Sequence, residues 1–198
     1  MKPAGSGKLG ACVSHPKFNA SLGPSHGAGP SKNGFCYSLV SLHIMDACTI
    51  ESITSFVPLT NELATAGQPS EEQLVAVAAA GFKVVVNLGL HGDPSYSLQD
   101  EAASVASLGL EYVHIPVQFG SPSREALAEF SAAMERAGDN KVFVHCRHNK
   151  RVPVFIALDR VLRQGWDRSE AFAVMRSIWL PDATWQTFID RALAQDEG

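Results

Sequence analysis

The sequence predicts an α/β fold: three layers, α/β/α, around a central, mostly parallel sheet of four to five strands, with a disordered N-terminal tail. Three observations carry this. Short β-branched runs alternate with stretches of helical length from residue 62 onward. Runs such as Val84-Val85-Val86 are nearly all apolar, as strands buried on both faces are. Gly81, Gly109 and Gly138 each close a helical stretch just before a strand run.

The elements follow in order. Residues 62–66 are a strand candidate, and Gln68-Pro69-Ser70 turns into a helix on which Ser70 and Gln73 form a capping box. Residues 83–88 form the next strand, and residues 90–97, with Gly92, Asp93 and Pro94, a loop. A helix over about residues 98–108 leads to a strand over 111–117. Ser121-Pro122 starts a third helix to about Ala137, and the strand over 141–145 ends in His145. Pro153 opens a stretch to Arg163 that is apolar nearly all round, as a central buried helix should be. Asp167 and Glu170 box the next helix, and Pro181 starts the last, with Trp185 and Phe188. Trp166, Trp179 and Trp185 lie on or beside helices and are expected to pack in the core.

Residues 1–44 are rich in Gly, Ser, Pro and Lys without periodicity, so they cannot bury enough apolar surface to offset the entropy of ordering. The protein-like sequence begins at Met45-Asp46, and Met45 is the expected natural start. The domain is thus placed at residues 45–198. Residues 1–45 carry four lysines and no Asp, Glu or Arg, whereas the remainder has twelve Lys and Arg against twenty Asp and Glu. An acidic domain argues against nucleic acid as a partner. No apolar run approaches the roughly 20 residues of a membrane span, so no membrane partner is expected. Cys12, Cys36, Cys48 and Cys146 show no paired spacing, which suggests a reduced, cytoplasmic setting.

Repeated strand–helix alternation implies parallel connections, and ligands of such sheets bind beyond the carboxyl ends of the strands. Residues 87–94, 117–121 and His145-Cys146 all fall at that rim. There the stretch Val142 to Pro153 ends a strand in a thiol, passes through a cationic loop and enters a helix. Loop N–H groups and the positive helix end attract an oxyanion, Arg151 can grip it bidentately, and the same field favours thiolate at Cys146. A thiolate facing a tetrahedral anion suggests phosphoryl or sulfur transfer. Arg147, His148, Asn149 and Lys150 are the loop residues around that anion, with the cations adding field more than contact. A metal site is not expected: adjacent His145 and Cys146 face opposite ways on a strand, and no second cysteine lies nearby. No cofactor is expected either.

At this loop the chain resembles the cysteine-dependent phosphatases of dual-specificity type. It is more similar to a bacterial family of small phosphatase-like domains sometimes fused to metallo-hydrolase domains. The resemblance runs from Leu63-Ala64-Thr65-Ala66-Gly67-Gln68-Pro69 through Val86-Asn87-Leu88 and Tyr112-Val113-His114-Ile115-Pro116-Val117 to Val144-His145-Cys146 and Arg151. Residues 161–166 and Ile178-Trp179 share it. It implies that Cys146 attacks phosphorus to form a phosphocysteine, Arg151 holds the equatorial oxygens and His145 supports the thiolate from behind. A phosphotyrosine-type protein or a small phosphomonoester is the implied substrate.

Three positions depart from the dual-specificity pattern. Four residues, not five, separate Cys146 from Arg151; Val152 stands where Ser or Thr follows the arginine; and Gln118-Phe119-Gly120-Ser121 lacks the aspartic general acid. Asp93 on the neighbouring rim loop is the replacement acid the sequence offers. The short loop, the absent acid and Val152 also suit a rhodanese-type sulfurtransferase carrying a persulfide on Cys146. A weakly active or non-catalytic phosphate-binding domain is the third alternative.

Overall fold

The computed structural model describes residues 48–93 and 95–194. The expected disordered tail, Met45, Cys12 and Cys36 lie outside the described residues. The strands are β1 (Val57–Pro58), β2 (Leu63–Ala66), β3 (Val84–Asn87), β4 (Glu111–His114) and β5 (Val142–His145). They form one five-stranded sheet in the order β1-β2-β5-β3-β4. The four strands from β2 to β4 in that order are parallel, and β1 adds an antiparallel edge, pairing Val57 with Thr65 and Pro58 with Ala64. The edge position suits Pro58, which has no N–H to offer a further strand.

Helix starts follow their caps. α1 (Glu71–Ala79) begins after Ser70, whose hydroxyl accepts from Gln73 N while Gln73 Oε1 accepts from Ser70 N, the expected box. α2 (Glu101–Ser107) starts three residues later than the apolar pattern suggests, because Asp100 accepts from Ala103 N and fixes the N-terminus there. α3 (Arg124–Ala137) is likewise capped by Ser123. α4 (Arg151–Gln164) starts two residues before Pro153, which still falls in the first turn, where its missing N–H has no intrahelical acceptor. Beyond it the single expected helix is two short ones, α5 (Arg168–Ala171) and α6 (Ala173–Ile178), parted at Phe172, and Asp167 caps the first by accepting from Glu170 N. α7 (Ala183–Ala194) is entered through Asp182, which accepts from Trp185 N.

Strand alternation divides the core between the two faces. Val85 and Phe143 pack with Leu74 and Val77 of α1 and Val105 of α2. Val84, Val86, Val142 and Val144 pack against α3, α4 and α7. α4 is the central helix: all ten residues from Arg151 to Arg160 are buried. Phe155 on it meets Phe130, Trp185 and Phe188 at ring-centroid distances of 5.8, 6.3 and 5.8 Å. Trp185 is fully buried, as expected.

Phe155→Ala is expected to cost about 3–5 kcal/mol, the usual loss for a fully buried aromatic. Urea denaturation should show a lower midpoint with an unchanged slope; an unchanged midpoint would mean that α4 does not anchor this layer.

Candidate active site

The ladder delivers the cysteine to the carboxyl edge of the sheet. His145 O accepts from Leu88 N at 2.8 Å, and Cys146 N donates to Ala66 O at 3.3 Å. The chain must then turn from strand to helix within four residues, and Asn149 makes the turn with φ +53, a left-handed conformation that Asn tolerates better than most side chains. Asn149 is fully buried, and its Nδ2 donates to Ser55 O at 2.8 Å and Thr65 Oγ1 at 2.9 Å. The side chain thus clamps the loop to β2 and the turn before β1, and it does not line the cavity beside Cys146. Gln68 N donates to Arg147 O at 3.2 Å. Gly67 permits this approach, since a Cβ there would lie 2.9 Å from Arg147 O and 3.0 Å from Thr54 O.

Phe119, Cys146, Arg147, His148, Lys150 and Arg151 line a cavity of about 340 Å³. Cys146 is 1% exposed, packed against the core on one side and open to this cavity on the other. Arg151 is 7% exposed, its guanidinium lies 5.4 Å from the Phe119 ring centroid, and its buried Nε has no hydrogen-bond partner. Lys150, the residue before α4, places no side-chain acceptor over the helix's first N–H groups. Those donors remain available to an anion.

Aromatic rings back the cations that line the cavity. Arg147 lies over Tyr96 at 4.4 Å and Lys150 over Trp179 at 5.5 Å. Phe119, to which the sequence assigned no role, is held by Trp185, whose Nε1 donates to Phe119 O at 2.9 Å. Burial, and then repulsion from Arg147, Lys150 and Arg151, pushes the His148 imidazole down from its ordinary value. Asp93 does not line the cavity; its Oδ1 accepts from Ser95 N and Ser95 Oγ at 2.9 and 2.6 Å. Those bonds, with a smaller pull from Arg147, hold its carboxyl below the usual range. Two larger clefts, beside α5 to α7 and between the starts of α3 and α7, hold no cysteine and no buried charge. Among the described residues, no three His, Cys, Asp or Glu side chains are grouped to hold a metal ion.

Behind the loop is a buried network that the sequence did not reveal. His145 is fully buried, and its Nε2 lies 3.0 Å from Oε1 of Glu101, which is 1% exposed. The contact is close but off the line of a good hydrogen bond. Glu101 also accepts from Gln68 Nε2 at 2.9 Å, Asn87 Nδ2 at 2.7 Å and Tyr112 OH at 3.2 Å. Burial alone would raise this carboxyl; attraction to His145 and the bonds from Gln68 and Tyr112 outweigh it and hold it below its ordinary 4.5. Burial, reinforced by the neighbouring Glu101 charge, pushes the Tyr112 hydroxyl up. The network reaches the surface at His91, which stacks on His114 with centroids 3.8 Å apart.

A carboxyl held low in the fold adds stability that is complete above its unfolded value and lost as pH falls through the folded one. Glu101→Gln is therefore expected to lower stability by about 1–3 kcal/mol at neutral pH. The variant and native curves should converge as pH drops below 4.5. Urea midpoints measured across that range check this, and parallel curves would show that Glu101 is not ionised in the fold.

The profile of the phosphatase-like domain of beta-lactamase hydrolase-like proteins matches residues 55–162. The beta-lactamase hydrolase-like protein of Xylella fastidiosa strain Temecula1 is 28% identical over 120 residues, 60% of this chain and 28% of that protein. The chain thus spans little more than a quarter of that relative's length. A putative phosphatase from Shewanella putrefaciens CN-32 superposes with a TM-score of 0.66 at 26% identity, covering 74% of this chain and 95% of that one. The active form of Tk-PTP gives 0.59 at 24% identity over 71% of this chain and 97% of that one, a likeness of fold alone. The matched residues run from β1 through the cysteine loop into α4, and the chain belongs to the family of phosphatase-like domains of beta-lactamase hydrolase-like proteins.

Proposed function

We propose that this domain hydrolyses phosphomonoesters through a phosphocysteine on Cys146. The observation that carries the reading is Arg151: its buried guanidinium lines the same cavity as the thiol, beside the uncapped start of α4. An oxyanion seated in this cavity would meet the guanidinium and the free N–H groups of the helix start together. The thiolate attacks phosphorus, the P–O bond to the leaving group breaks, and that oxygen departs with the electron pair. Water then cleaves the S–P bond, releasing phosphate and regenerating the thiolate. Arg151, the α4 N–H groups and the field of Arg147 and Lys150 stabilise the charge on the transferring group. Asn149 serves by shaping the loop, and His145 with Glu101 braces the strand end behind the thiol.

Asp93 is bound to Ser95 and held ionised, so here the leaving oxygen takes its proton from solvent. The substrate class is a phosphotyrosine-type or other small phosphorylated compound. A cytoplasmic setting is supported by Cys48 and Cys146, which form no disulfide among the described residues. No described helix is long and apolar enough to cross a membrane.

Sulfur transfer is the second reading, favoured by the four-residue spacing and by the lack of a carboxylate lining the cavity. para-Nitrophenyl phosphate and, separately, thiosulfate with cyanide decide between them. The expected result is turnover of the phosphate ester, abolished in Cys146→Ser and reduced about 10²–10³-fold in Arg151→Lys. Turnover of thiosulfate alone would replace the phosphatase reading, and phosphate binding without either turnover would leave a binding domain.

With solvent as the proton source, rates should also depend steeply on the leaving group. An aryl phosphate should exceed an alkyl phosphate in kcat/KM by about 10²-fold or more, the size of a missing general-acid contribution. Equal rates would show that a proton donor is present.

A further inference from the structure

Resting on the phosphocysteine reading, we propose that the substrate this cavity is built for is a diphosphate, with the terminal phosphoryl group taken by Cys146 and the second phosphate held by Arg147 and Lys150. Two features of the cavity point the same way.

The first is what lines it. No carboxylate does, and a general acid typically contributes about 10²–10⁴-fold. That loss falls on alkoxide leaving groups, which are strongly basic. A phosphate departing from an anhydride leaves as a stabilised oxyanion and needs no proton in the transition state. The thiolate attacks the terminal phosphorus, the bond to the bridging oxygen breaks, and the electron pair departs on the second phosphate. Water then releases the first phosphate from sulfur, and its proton goes to solvent.

The second feature is the positive charge at the mouth. Arg147 and Lys150 are exposed, and among the described residues neither is in an ion pair. Each is held on an aromatic wall, Arg147 on Tyr96 and Lys150 on Trp179, an arrangement that positions a cation without neutralising it. Asp93, the carboxylate whose attraction reaches Arg147, accepts from Ser95 at Oδ1 and makes no ion pair with Arg147. The imidazole of His148, between the two cations, is pushed down by their charge in addition to its burial. Arg151 already serves the transferring phosphoryl group, so Arg147 and Lys150 are in surplus for a substrate with one phosphate. In a domain with twelve Lys and Arg against twenty Asp and Glu, this unpaired cluster focuses attraction on a polyanion.

The test compares inorganic pyrophosphate, β-glycerophosphate and para-nitrophenyl phosphate, with Cys146→Ser as the blank and a metal chelator present. Pyrophosphate is expected to exceed β-glycerophosphate in kcat/KM by about tenfold or more. The double variant Arg147→Gln with Lys150→Gln should lower kcat/KM for pyrophosphate at least about ten times more than for para-nitrophenyl phosphate. Pyrophosphate turned over no faster than β-glycerophosphate, or an equal loss on both substrates in the double variant, overturns the proposal. Turnover of para-nitrophenyl phosphate in either case leaves the phosphocysteine reading standing. Silence on all three substrates ends both.

Discussion

The site depends on one turn. Between the last residue of β5 and the first of α4 the chain has five residues in which to present a thiol, leave the helix N-terminus open and bring Arg151 back over the cavity. Asn149 makes this possible with a left-handed backbone and a side chain spent on Ser55 O and Thr65 Oγ1. Glycine would supply the same φ with no anchor; asparagine supplies both. The loop is therefore tied to its neighbours before any ligand arrives, and Gly67 lets the facing backbone close on it. Pre-ordering of this kind is what electrostatic stabilisation of a transferring group requires, because dipoles that must reorient during the reaction lose most of their effect.

The charge around the turn is arranged in two shells of opposite kind. In front, unpaired cations stand on aromatic walls. Behind, one carboxylate is fully enclosed by His145, Asn87, Gln68 and Tyr112. The enclosed carboxylate is saturated and cannot serve as an acid toward the cavity, while the cations in front are open to a ligand. The fold thus keeps this negative charge behind the strand ends and the positive charge along the cavity beside Cys146.

Much of the sheet was legible, because β3 and β5 are short valine-rich runs and all four strands from β2 to β5 lie between recognisable turns and helix caps. β1 was not: two residues ending in proline carry no periodicity, and only pairing with β2 makes them a strand. Cys146 and Arg151 stood out through their spacing and setting. Glu101 did not, since a glutamate at the first position of a helix ordinarily faces water, and only the fold shows His145 and Asn87 converging on it. Asn149 was legible as a loop residue but not in direction, for nothing local separates a polar side chain facing a ligand from one facing its own backbone. The start of α4 was read two residues late because proline dominates the local signal while Arg151 and Val152 look like loop.

The link from Trp185 Nε1 to Phe119 O has a wider meaning. The family match ends at residue 162, yet Trp179 and Trp185, which back the Phe119 wall and support Lys150, both lie beyond it. The cysteine loop and the rings that back its entrance thus come from separate parts of the chain, packed into one core through α4, α7 and the bond to Phe119 O. A substitution in the C-terminal helices that displaces Trp179 or Trp185 therefore displaces the Phe119 side of the cavity as well, although it lies outside the matched residues.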